Sequence, residues 1–77
     1  MEKLVETIAK SLVNQPEEVH VNTVQKDDLT IIELRVADDD MGKVIGKQGR
    51  IAKAIRSVVK AAAIKKNLKV NVDIIED

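Results

Sequence analysis

Seventy-seven residues support one hydrophobic core, since a chain this short buries only roughly 60% of its unfolded surface and cannot divide that between two. With 44% hydrophobic and 34% charged residues the composition excludes a disordered tail, and zero cysteines exclude disulfides, thiolate zinc sites and nucleophilic thiols, in keeping with a reducing cytoplasm. The net charge is zero, yet residues 1–40 hold ten acids against four bases, residues 41–69 nine bases and no acid, and residues 70–77 three acids. Such segregation creates a local positive field that attracts phosphates on a neutral molecule, although a lysine-rich solvated helix accounts for the run equally well.

In chain order, Leu4, Val5, Ile8, Ala9, Leu12 and Val13 recur at spacings of three and four and predict a helix from about residue 2 to 13, closed by Pro16. Val19 to Val24 has the Val and Thr content of a strand, and Lys26-Asp27-Asp28 that of a polar turn. In Ile31 to Val36 the alternation of Ile32, Leu34 and Val36 with Glu33 and Arg35 predicts a second, half-buried strand antiparallel to the first. Asp38-Asp39-Asp40 then offers side-chain oxygens and negative charge to the start of a helix near Met41. That helix is expected to be brief, because Gly46 and Gly49 interrupt it before Ile51, Ile55, Val58 and Ala62 restart a helical stripe to about Ile64. Leu68, Val70, Val72 and Ile74 alternate with polar residues as a third strand. The order α-β-β-α-α-β describes one α+β domain over residues 1–77, a three-stranded sheet packed against helices. No apolar run approaches the length of a signal segment or a membrane span, so neither export nor insertion is expected.

All three glycines, Gly42, Gly46 and Gly49, fall within eight residues. Glycine allows positive φ and close approach to the main chain, which suits a tight corner between helices and also a bound phosphate. The first amides of the helix beyond the corner lack internal acceptors and carry the positive end of its dipole. Lys43, Lys47, Arg50 and Lys53 surround that point, a clustering that a purely structural turn leaves unexplained. Three residues rather than four separate Gly42 from Gly46, and Lys47 is followed by Gln48, so this is no P-loop. Nor are the spacings of four and three those of a dinucleotide fingerprint, and no cofactor is expected.

The run Val44-Ile45-Gly46-Lys47-Gln48-Gly49-Arg50-Ile51-Ala52-Lys53-Ala54-Ile55 resembles the motif of the KH domain. In that family an Ile-Gly-x-x-Gly core is followed by apolar residues at helical spacing, the loop holds a sugar-phosphate backbone, and about four nucleotides lie along a neighbouring groove. The element order is similar to the type II, bacterial KH fold, and the chain as a whole resembles the small stand-alone bacterial KH proteins of the KhpA type. The resemblance implies a cytoplasmic protein binding single-stranded RNA, an RNA chaperone or regulator linked to cell shape and division, homodimeric, and pairing with a larger KH-containing protein of the KhpB type. It assigns Gly46 and Gly49 to the loop, with Lys47 and Gln48 between them. Arg50 and Lys53 are expected to meet phosphates, with Lys43 flanking the site from the preceding helix. Val44, Ile45, Ile51 and Ile55 can line an apolar groove, with core packing the expectation for each, and Ile45 is kept among the site residues. Arg56, Lys60, Lys65, Lys66 and Lys69 extend the basic surface or simply solvate a helix face.

The chain has no Phe, Tyr or Trp, whereas RRM sheets, OB folds and cold-shock domains usually stack bases on such rings. One histidine, His20, no cysteine and no cluster at ligand spacing argue against an enzyme, and the three aspartates read as a helix cap rather than a cation site. The rival reading is a dimerisation or interaction module with little RNA binding, using outward apolar residues such as Met41, Ile31, Ile64 and Ile75.

Overall fold

The computed structural model describes residues 1–76, and for Lys47 and Gln48 the main chain only. Helix α1 spans Glu2–Leu12 and buries Val5 and Ala9, with Val13 continuing the same stripe one turn on. Leu12, predicted on that stripe, is exposed. A 3-10 turn, Pro16–Glu18, follows, and Val19, predicted to open the first strand, is instead a buried residue closing this turn.

Strand β1, His20–Lys26, pairs antiparallel with β2, Leu29–Arg35, and Lys26 faces Leu29. The loop is therefore Asp27-Asp28 alone, with Asp27 at φ 53, a left-handed conformation that aspartate tolerates. Strand β3, Lys69–Ile74, lies parallel to β2 on its other side, so the sheet order is β1-β2-β3. Ile32 faces Val72 and Leu34 faces Ile74, which sends these four side chains to the face covered by the helices.

Helix α2, Asp38–Lys65, provides the long crossover that parallel strands need. Its helical bonding carries through Gly46, where a break was predicted, and its first turn is made by the aspartates themselves, three residues before Met41. Yet 28 residues in a straight helix would reach about 42 Å, and the molecule is only 34 Å in its longest dimension. The bend lies at Gly49, whose φ of +66 no right-handed helix contains. The two arms of α2 are the two helices of the order α-β-β-α-α-β. Its far end closes on Asn67 at φ 56, with the Leu68 amide donating to the Ala63 carbonyl at 2.8 Å and the Asn67 amide to the Ile64 carbonyl at 3.0 Å, a Schellman closure. The core is aliphatic: Val5 from α1, Ile32 and Leu34 from β2, Val44 and Ile55 from the two arms of α2 are all fully buried.

Candidate nucleic-acid interface

The arm that carries the glycine corner is fastened from below. Asp40, 0% exposed, accepts the Asn14 amide on Oδ1 and the Gln15 amide on Oδ2, each at 3.0 Å, and Gln15 Nε2 donates to Asp39 Oδ2 at 3.2 Å. Among the described residues none of these three aspartates makes a side-chain bond to its own helix's free amides. The predicted cap is thus corrected: the acids favour the positive end of α2 by charge, while Asp40 satisfies amides left bare where α1 ends. Val44, one turn beyond Asp40, is buried in the core, so one face of the arm is held at two successive turns.

Beyond it, Gly46 and Gly49 stand open. A Cβ built at either would meet nothing within 4 Å among the described residues. Past the corner, Ala52, Ile55, Val59 and Ala63 form the buried stripe of the second arm, and Arg50, Lys53, Arg56 and Lys60 recur at three and four along its exposed flank. Among the described residues none of these four bases is ion-paired with a carboxylate. Between this flank and β3, an edge strand, lie two adjoining clefts. One, of about 370 Å³, is lined by Ile45, Gly49, Ala52, Lys53, Arg56 and Ile74. The next, of about 310 Å³, is lined by Arg56, Val59, Lys60, Val70, Asn71 and Val72. Arg56 belongs to both, and its Nε–H donates to the Val72 carbonyl at 3.3 Å.

Of the residues singled out from sequence, Ile45, Gly49 and Lys53 meet in the first cleft, and Arg50 is exposed beside it. Lys43 does not converge there: its Nζ reaches Asn14 Oδ1 at 3.4 Å, toward the end of α1. The side chains of Lys47 and Gln48 lie outside the described residues. Val44 and Ile55 are core, and Ile51 packs against it, as expected of them, whereas Ile45 is 43% exposed and faces the cleft. Sequence reasoning missed Ala52 and Ile74 as lining residues and left Arg56 in a general basic run. The period of α2 could have placed Ala52 and Arg56 on adjoining flanks, but nothing local tells which strand lies opposite.

A separate hollow of about 490 Å³, where β1 begins and β2 ends, is lined by Glu18, His20, Arg35, Asp38 and Asp39 among others. Its carboxylates disfavour a polyanion. Among the described residues no group of three or more His, Cys, Asp or Glu could hold a metal ion, and no helix is long and apolar enough to cross a membrane.

Comparison with known proteins converges on this architecture. The profile of the KhpA/KhpB KH domain matches residues 2–74. The RNA-binding protein KhpA of Clostridium perfringens is 69% identical over 75 residues, 97% of this chain and 100% of the relative. That of Clostridium acetobutylicum is 64% identical over 75 residues, with the same shares covered. Among solved structures, Aquifex aeolicus Era superposes with a TM-score of 0.65 at 19% identity, over 95% of this chain and 28% of Era, a likeness of fold. The chain therefore belongs to the KhpA/KhpB family of KH domains, whose members bind and do not catalyse.

Proposed function

We propose that this chain, one KH domain over residues 1–77, binds short single-stranded RNA by laying the sugar-phosphate backbone across the Gly46-Lys47-Gln48-Gly49 corner. Phosphates meet the corner amides, Arg50 and Lys53, and bases enter the cleft beside Ile45, Ala52 and Ile74. The reading is supported above all by the bare corner: among the described residues a Cβ at Gly46 or Gly49 would meet nothing within 4 Å, and Gly49 lines a cleft with aliphatic walls and with Lys53 and Arg56, neither ion-paired with a described carboxylate. The name RNA-binding protein borne by the relatives points the same way. Lys43, tied to Asn14, is a peripheral contact. The resemblance to the family carries the rest of the proposal: a cytoplasmic RNA chaperone or post-transcriptional regulator with a part in cell shape and division, paired with itself or with a larger KhpB-type protein.

Two measurements test it. With about three phosphates neutralised on a single strand, log affinity falls against log salt with a slope near −2. A Lys47→Asp, Gln48→Asp double variant, with folding checked by circular dichroism, loses binding to a short single-stranded RNA. Equal binding by variant and wild type would favour the interaction module, for which Ile64 of α2, 68% accessible, is an available contact.

A further inference from the structure

A strand held at the glycine corner has to place its bases somewhere, and this chain contains no Phe, Tyr or Trp to receive one, while its one histidine, His20, borders the separate hollow shared with Glu18, Asp38 and Asp39. Unstacked bases are also received on the planar guanidinium of arginine, of which the sequence has three, Arg35, Arg50 and Arg56. Arg35 borders the hollow shared with Glu18, Asp38 and Asp39, where a phosphodiester chain is repelled. Arg50 stands exposed on the first turn past the corner, where a phosphate is met before a base. Arg56 alone of the three lines both clefts between α2 and β3.

Its side chain is also oriented. The Nε–H bond to the Val72 carbonyl ties the guanidinium to the edge strand, which reduces the rotamer freedom lost when a ligand binds; among the described residues the two Nη groups make no further bond, and the exposed side chain borders both clefts. Lysine at this position would keep the charge but offer neither plane nor fork. We propose that Arg56 is the platform on which a base of the bound strand stacks, in place of the aromatic residues other RNA-binding folds use. The inference rests on the RNA-binding reading above.

The test is a cycle crossing wild type and Arg56→Lys with single-stranded RNA hexamers in which each position in turn is abasic or carries 2-aminopurine, with folding checked by circular dichroism. For wild type, one abasic position weakens binding about 10-fold and 2-aminopurine at that position is quenched on binding. For Arg56→Lys, binding to the intact strand is weaker by a similar factor, the abasic substitution costs nothing further, and the quench is lost, while the salt slope stays unchanged. Arg56→Gln also leaves the slope unchanged, because a guanidinium stacked on a base neutralises no phosphate, whereas a slope lowered by about 0.7 would mark Arg56 as a phosphate contact and overturn the stacking role. If Arg56→Lys binds within twofold of wild type with the quench intact, Arg56 is a phosphate contact and the stacking role is overturned while RNA binding stands. Absence of binding by wild type at low salt overturns both.

Discussion

At Gly49 the main chain takes φ +66, so any side chain there is strained whatever space surrounds it, by about 1–2 kcal/mol. Gly46 has no positive φ, and among the described residues a Cβ there would meet nothing within 4 Å. In a helix such a glycine costs about 1 kcal/mol against alanine, a cost the rest of the fold does not require. The two glycines of one motif therefore part under mutation. Gly49→Ala is expected to destabilise the protein by about 1 kcal/mol, while Gly46→Ala stabilises it by up to about 1 kcal/mol and still weakens RNA binding, because the new methyl stands where a phosphate would press. Urea denaturation alongside RNA titration reads both, and a Gly46→Ala protein with undiminished binding would sink the argument. The motif's glycines were legible as a unit in the sequence. Their different roles were not, since φ at Gly49 follows from how the two arms must both reach the core.

Among the elements, the joint between α1 and α2 is the least legible from sequence and the most exposed to test. Three successive aspartates mark the start of a helix, but all three fit that pattern alike, and the amides that Asp40 accepts lie 26 and 25 positions back. Only the folded arrangement distinguishes it from its neighbours. Asp40→Ala removes two charge-assisted bonds from backbone amides and is expected to cost about 3 kcal/mol, a large part of the 5–10 kcal/mol typical of a small domain. Denaturant unfolding measures it, and a loss below about 1 kcal/mol would mean that water replaces the carboxylate at no net cost. Arg56 was obscured for the same reason: helical spacing places it on an exposed flank, and its contact with Val72, 16 residues away, depends on which strand docks beside α2. Conversely, the aliphatic periodicities of α1, β2 and the second arm of α2 were read directly, because residues such as Val5, Ile32 and Ile55 repeat at the period of the element that buries them.

For the whole molecule, charge and topology were legible to different degrees. The acid-rich first half and the base-rich second half can be counted in the sequence, and the fold sets the bases of α2 along a groove. The side on which β3 joins the sheet cannot be counted, because alternation is the same for a parallel and an antiparallel neighbour. That parallel pairing has a kinetic consequence. Lys26 meets Leu29 across two residues, but Leu29 meets Lys69 forty positions along the chain, so the β2–β3 ladder carries the larger loop-closure cost and is formed only once α2 spans the distance. The expected order is a nucleus of the hairpin with α1 and α2, with β3 zipping on after the rate-limiting barrier. Val72→Ala should consequently accelerate unfolding about 30-fold for a loss of about 2 kcal/mol and leave refolding almost unchanged. A chevron in which refolding slows instead would place the third strand inside the transition state.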